Sequence, residues 1–172
     1  SMVAVGFAAA PAAAANTGNV SGFASDNVDT GATVEYSSAE GNQITFDVTG
    51  IAGSGNDVNV VLSADQGTEF TSINNVAYTG GSSSSSASVN NNGDLEFSFT
   101  DDGDGTVSVE VEVLEVQFPE VTSDTDVDFT AEVEDTNSGG TTTTTTLGTV
   151  TVEDTEAPAL RKATHYDSAD AG

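Results

Sequence analysis

The feature that most limits the folds open to this chain is a two-residue alternation of apolar and polar side chains. It is clearest in the run from Val107 to Val113, where valines at every second position are separated by Ser108, Glu110 and Glu112. Successive side chains of an extended strand point to opposite faces, so this period predicts a β-strand with one buried face. No segment shows the apolar stripe with a period of about 3.6 residues that an amphipathic helix requires.

The same alternation recurs along most of the chain, and turn-forming residues rich in Gly, Asn and Asp separate the runs. The apolar positions of the other runs are Ala32, Val34 and Tyr36; Ile44, Phe46 and Val48; Val58, Val60 and Leu62; Leu95, Phe97 and Phe99; Val127, Phe129, Ala131 and Val133; and Val150 and Val152. About eight short strands with turns at this spacing predict a β-sandwich.

One run changes its apolar phase part-way. After Val113 the apolar positions move by one residue to Leu114, Val116 and Phe118. Such a shift inside a strand predicts a β-bulge or a bend at which the strand changes sheets.

Charge sets the second constraint. The chain has 28 acidic residues against 2 Lys and Arg, a formal net charge of −26. Both basic residues, Arg161 and Lys162, lie near the C-terminus with Asp167 and Asp170, so 26 acidic residues and no Lys or Arg precede residue 161. Repulsion among these acids must be screened by solvent ions, and the screening length falls from about 8 Å at 0.15 M salt to about 3 Å at 1 M.

The acidity also restricts partners. Without a basic patch, the chain is a poor match for nucleic acid or for an anionic membrane surface. High charge with few aromatic residues is also typical of intrinsic disorder. We favour a folded domain because the acids occupy the outward phase of nearly every predicted strand.

The two ends differ in composition from the middle. Residues 1–15, with an apolar stretch to about Ala10 followed by small residues, indicate the remainder of a secretory signal peptide, the alternative being an alanine-rich arm of the domain. Residues 16–156 are then the β-sandwich domain. Residues 157–172 follow as a linker at Pro158 and the truncated start of another domain. A secreted location follows from the signal peptide.

Two low-complexity tracts interrupt the alternating pattern. Ser82 to Ser86, flanked by glycine, is typical of a flexible loop. Thr141 to Thr146 permits a strand, which we favour because threonine is a good strand former, or an O-glycosylated segment.

Catalytic residues are not expected. The one histidine, His165, lies in the C-terminal segment, and the chain has no cysteine. A Ser-His-Asp arrangement or a typical zinc or iron site therefore lacks its usual components. Pairs of carboxylates suited to glycoside hydrolysis arise by chance among so many acids.

A calcium site is the metal site to consider. Asp101, Asp102 and Asp104 place three carboxylates in a glycine-rich turn, and calcium prefers clustered oxygen ligands. The spacing does not match an EF-hand loop, and a tight acidic hairpin turn between Phe99 and Val107 is the alternative.

Two further features bear on ligands. Asn19-Val20-Ser21 matches the N-glycosylation sequon, which makes Asn19 a candidate glycosylation site in a secreted protein. Carbohydrate binding usually uses exposed aromatic rings, and Tyr78, beside the serine tract, is the one ring in a suitable place.

The lysine-poor acidic chain, the small-residue run Ala12 to Ala15, and the strand from Thr149 to Asp154 that leads to Ala157 and Pro158 resemble haloarchaeal cell-surface proteins. These are S-layer-like secreted glycoproteins built from immunoglobulin-like domains. The resemblance implies an immunoglobulin-like antiparallel β-sandwich of roughly seven to nine strands with a structural or adhesive role in the cell envelope and no catalysis. No cofactor is expected unless calcium is bound.

Two functions are compatible with these observations. The first is a non-catalytic structural or adhesive module of a secreted, salt-adapted cell-surface protein, whose partners are other surface-protein domains or copies of itself, with solvent cations between them. The second is a ligand- or carbohydrate-binding module at the front of a secreted hydrolase. No membrane insertion is expected within residues 1–172, because the apolar stretch at the start is too short to cross a bilayer.

Overall fold

The computed structural model describes residues 13–16, 27–53, 55, 57–138 and 141–155. In these ranges the chain forms eleven β-strands and one short 3-10 helix, Thr136–Ser138. The strands are β1 (Ala14–Asn16), β2 (Val28–Asp29), β3 (Thr33–Tyr36), β4 (Ile44–Thr49), β5 (Asp57–Ala64), β6 (Glu69–Thr79), β7 (Gly81–Val89), β8 (Leu95–Asp101), β9 (Thr106–Gln117), β10 (Thr125–Asp135) and β11 (Thr141–Glu153).

The strands form two sheets. In the five-stranded sheet β9 is central: β6 pairs with one edge, β4 and β3 share the other edge end to end, and β1 pairs with β4. The six-stranded sheet has the order β2-β11-β10-β5-β8-β7. All pairings are antiparallel except that of β2 with β11. The predicted antiparallel β-sandwich is confirmed. Nine of the eleven strands in the described ranges are at least four residues long, against the roughly seven to nine predicted.

The core lies between the sheets and is built from the alternating apolar residues. Phe129 on β10 contacts rings from the opposite sheet, with centroid distances of 6.1 Å to Tyr36 and 5.9 Å to Phe70. Phe118, which follows β9, lies 6.2 Å from the same ring. Such offset and edge-to-face aromatic pairs add to the burial of apolar area, so Phe129 joins three elements of the core.

The phase shift in β9 occurs at Val113. The buried residues are Val107, Val109 and Val111 before the shift and Leu114 and Val116 after it. Val113, in contrast, is 36% exposed and has a φ of 56°. The prediction that Val113 faces the core with the other valines is therefore wrong. A left-handed backbone is unfavourable for a β-branched residue, and here it lets both halves of β9 direct their apolar side chains inward.

The shift lies where β9 changes neighbours. Pairing with β4 ends at Val111 and pairing with β3 begins at Leu114, whereas the register with β6 continues from Ile73–Leu114 to Asn75–Glu112. The predicted bend is thus accommodated by one backbone conformation at Val113, and the register shift against β6 lies elsewhere, between Phe70 and Ser72.

The two low-complexity tracts are both strands. The threonine tract begins β11 and pairs with β10, as favoured from sequence. The prediction of a flexible loop over Ser82 to Ser86 is wrong, because these residues belong to β7 and pair with β8. An edge strand needs neighbours on one side only, and the exposed serines of β7 bury no apolar face that a period of two could reveal.

The structure also bears on the predicted boundary between the signal peptide and the sandwich. Ala13 and Ala15 are buried, and Ala14–Asn16 pairs with Asp47 to Thr49 of β4. The sandwich therefore includes residues 13–15 of the segment predicted as signal peptide, while residues 1–12 lie outside the described ranges. Among the described residues, no helix has the length and apolar character needed to cross a bilayer.

Candidate functional site

The predicted calcium ligands lie in the turn between β8 and β9, but in different surroundings. Asp101 is 3% exposed, and its Oδ2 accepts hydrogen bonds from the backbone N–H groups of Gly103, at 2.9 Å, and Gly105, at 3.1 Å. Its Oδ1 is buried without a hydrogen-bond partner. Asp102 and Asp104 are exposed. In the described part of the chain, no group of three or more His, Cys, Asp or Glu side chains is placed to hold a metal ion, and calcium binding stays a prediction.

A second buried carboxylate lies near the same loop. Asp135, at the end of β10, is fully buried and accepts hydrogen bonds from the N–H groups of Ala52, at 2.8 Å, and Asn137, at 2.9 Å. The segment around Ala52 also contacts the Asp101 turn, because the N–H of Ile51 donates to the carbonyl of Gly105. Charge-assisted hydrogen bonds to carboxylates are stronger than neutral ones, so these two acids fix the loop that closes this end of the sandwich.

Elsewhere the acids lie mostly on the outer faces, and several of them accept hydrogen bonds from uncharged donors. Six accept one from the residue directly opposite on the neighbouring strand, and we call these the cross-strand acid pairs. The pairs are Asp47 with Ser108 (2.6 Å), Asp126 with Thr151 (2.8 Å), Asp128 with Thr149 (2.6 Å), Glu112 with Asn75 (3.0 Å), Glu115 with Ser72 (2.8 Å) and Glu134 with Asn59 (3.4 Å). The described residues include no Lys, Arg or His, so hydroxyl and amide donors take the place that salt bridges hold on other proteins.

One segment has no acids of its own. Between Glu69 and Asp94 lie 24 consecutive residues without a charged side chain at neutral pH. These residues, 70–93, comprise nearly all of β6, all of β7 and the turn that follows, and we call them the neutral hairpin. In the described structure β6 pairs only with β9 and β7 only with β8, so the hairpin forms one flank of the sandwich with an edge strand from each sheet.

The link between its two strands requires glycine. Gly80 has a φ of 79°, and a Cβ on it would lie 2.8 Å from the carbonyl oxygen of Thr106. A Cβ on Gly81 would lie 2.5 Å from the carbonyl oxygen of Thr100. This close backbone approach carries the chain from one sheet to the other, and it sets β6 and β7 side by side.

A groove of about 190 Å³ runs between these two edges. Asn74 and Asn75 of β6 and Ser83 and Ser85 of β7 are among its lining residues, together with Tyr78. The lining therefore presents amide and hydroxyl groups and no carboxylate. Sequence reasoning missed this surface, although a run of 24 residues without acid in so acidic a chain was a signal that could have found it.

Tyr78 is only partly available in this groove. Its ring packs on the core with centroid distances of 5.3 Å to Phe99 and 6.2 Å to Phe97. Burial raises the pKa of Tyr78 to about 12, and a side-chain hydrogen bond with Ser83 opposes that rise. The ring thus joins β6 to β8 and is only partly exposed.

One predicted site falls outside the described residues: Asn19, the candidate glycosylation site, lies in residues 17–26. The histidine, His165, lies in residues 156–172, which are also outside them. The structure places neither of them.

Comparisons with known proteins give little further information. No protein-family model matches this chain, and no curated protein sequence matches it. One solved structure is similar: the crystal structure of ACE19, the collagen binding subdomain of the Enterococcus faecalis surface protein ACE. It has 11% sequence identity and a TM-score of 0.35, and the match covers 72% of this chain and 95% of that one. A TM-score of this size supports no argument from that protein to this one.

Proposed function

We propose that this chain is a non-catalytic structural and adhesive module of a secreted, salt-adapted cell-surface protein, of the kind found on haloarchaea. The observation that carries the proposal is the distribution of charge. Acidic side chains cover the outer faces of both sheets without a basic residue among the described ones, and one flank is uncharged. A scaffold of this kind stays solvated in brine and leaves one surface through which it can contact a neighbour without like-charge repulsion.

The architecture supports a scaffold more than a catalyst. The acids are spread over strands and held individually by neighbours, as in Asp47 with Ser108 and Asp128 with Thr149. Catalysis needs groups that converge on one reacting centre. The dispersal of the acids instead suits a surface whose work is hydration and contact.

The alternative, a carbohydrate-binding module, rests on the groove beside Tyr78. Its amide and hydroxyl lining suits sugar hydroxyls, but the Tyr78 ring packs on Phe97 and Phe99 and is only partly exposed for stacking. We therefore place this function second.

The test of the proposal is folding as a function of salt. Far-UV and near-UV circular dichroism should show a folded β protein in molar NaCl or KCl and loss of structure on dilution to millimolar salt. The physical reason is that the screening length grows from about 3 Å at 1 M to about 30 Å at 0.01 M. A chain equally well folded at both salt concentrations would contradict the salt-adapted role.

A further inference from the structure

The edge strand β7 has little of the protection that exposed sheet edges normally have. It closes the six-stranded sheet, pairs in the described structure only with β8, and contains neither proline nor a charged residue. Its side chains are exposed from Ser82 to Ser86. Natural proteins usually block such an edge with lysine, proline or an inward charge. Two register shifts against β8 are the only irregularity along it.

Charge identifies the occupant that fits this edge. A second copy of the chain has the same net charge of −26, so contacts between acid-bearing faces are repulsive. The β7 edge is free of acids, and an antiparallel pair of identical strands is self-complementary. We propose that two copies of this chain pair edge to edge through β7, which joins their six-stranded sheets into one continuous sheet.

The distance between the nearest acids of the two copies is compatible with this pairing at molar salt. The acids closest in the sheet are Glu96 and Asp101 of β8, opposite Ser88 and Gly81. Glu96 is hydrogen-bonded to Asn90, and Asp101 is buried. Across the pair, the two β8 strands are three strand spacings apart, or about 14 Å. This distance is several screening lengths at 1 M salt, about 3 Å, but less than the length of about 30 Å at 0.01 M. The dimer should therefore strengthen as salt rises.

The groove supplies lateral contact beside the strand pair. Asn74 and Asn75 on β6 and Ser85 on β7 line it. In the paired state, hydroxyl side chains of the second β7 lie over this lining, where serine and asparagine groups can exchange hydrogen bonds.

Ser84 offers the sharpest substitution. It is exposed and falls within the register shift between Ser83 and Ser85, so it has no partner residue on β8. Ser84→Pro removes a backbone N–H from the edge, and Ser84→Asp brings a carboxylate to a strand paired with its own copy. Thr146→Asp is the matched control, because it adds the same charge at an exposed position opposite Thr130, on a strand four places from β7 in the sheet.

The experiment is sedimentation equilibrium of the full chain in 2 M NaCl, with circular dichroism to verify the fold of each variant. We expect a monomer–dimer equilibrium whose dissociation constant rises at least tenfold in both Ser84 variants and changes less than twofold in Thr146→Asp. A wild-type chain that stays monomeric to millimolar concentration, or a dimer unaffected by Ser84→Pro and Ser84→Asp, would overturn the proposal. Binding of a glycan or a different domain at this flank without self-association would overturn it as well.

A distance measurement covers the case in which a Ser84 variant fails to fold. The chain has no cysteine, so Ser86→Cys and Thr146→Cys each carry one spin label. Edge pairing places the backbones at Ser86 in two copies within about 10 Å and those at Thr146 about 40 Å apart. The reverse order of these distances would reject pairing through β7. This inference deepens the proposed structural role by naming the partner, and a monomer that still folds only in molar salt would reject the pairing alone.

Discussion

Strand β10 has four acidic side chains on its outer phase, Asp126, Asp128, Glu132 and Glu134, whereas β7 in the same sheet has none. The interior strand buries alternate apolar residues, so its polar positions face solvent in a fixed order and its neighbours supply hydroxyl donors in register. The edge strand buries almost nothing and meets one neighbour. The difference shows that acidic side chains lie on the outer faces of the sandwich and are absent from the two strands of the neutral hairpin. We infer that this flank is the surface available for contact.

The largest expected effect comes from removing charge on the acidic side of this comparison. Asp126→Asn, Asp128→Asn, Glu132→Gln and Glu134→Gln together remove four negative charges while keeping oxygen acceptors for Thr149 and Thr151. Reduced self-repulsion should lower the salt concentration at half-folding by about twofold. Circular dichroism along a NaCl titration measures this midpoint.

The control for that variant lies in the neutral hairpin. Ser84→Asn and Ser86→Asn change polar side chains without changing charge and should leave the salt midpoint unchanged. An equal shift in both sets would show that the outer-face acids do not set the salt requirement.

The next largest effect is the difference in stability loss between replacing a buried acid and replacing an exposed acid in the same turn. Asp101→Ala removes the acceptor for the N–H groups of Gly103 and Gly105 and should destabilise the domain by about 2 kcal/mol. Asp102→Ala, in the same turn but exposed, should change the free energy of unfolding by less than about 0.5 kcal/mol. Urea denaturation in molar salt gives both values.

Repeating those measurements with calcium tests the predicted metal site. If the turn binds calcium, the wild-type chain gains stability with calcium and both variants lose that gain. Equal stability with and without calcium in all three chains would exclude a calcium site in this turn.

The smallest effect concerns Tyr78 in the neutral hairpin. Because the folded-state pKa of Tyr78 is raised from 10.0 to about 12, its stabilising effect is complete below pH 10 and is lost as pH rises to about 12. After allowance for solvent around this half-buried ring, the loss is about 1 kcal/mol. Tyr78→Phe should lack this alkaline component when unfolding free energies are compared at pH 9 and pH 11.5, and an identical pH dependence in both chains would contradict burial as its cause.

Sequence patterning predicted the parts of the molecule in which period and burial coincide. The runs through Ile44, Phe97 and Phe129 form strands as predicted, because each sheet buries one face and therefore needs apolar residues at every second position. The prediction for the serine tract failed because an exposed edge strand has no alternation of apolar and polar residues. The prediction for Val113 failed because its left-handed backbone conformation reverses which residues of β9 face the core.

The candidate site was less accessible to sequence reasoning. The run Asp101 to Gly105 suggested a cation site, yet burial of one carboxylate and exposure of its neighbours depend on where the loop around Ala52 docks. Likewise, pairing of Asp126 with Thr151 depends on the register of β10 with β11, which no local pattern specifies. Contacts between distant segments decide these features.

The cross-strand acid pairs have a consequence for how this surface responds to salt. A surface tied together by salt bridges loses that contribution as evaporation concentrates the surrounding ions. Here the donors of pairs such as Asp47–Ser108 are uncharged, so these hydrogen bonds contain no attraction between opposite charges for the ions to screen. The cross-strand acid pairs should therefore keep nearly the same strength while the surrounding salt concentration changes severalfold.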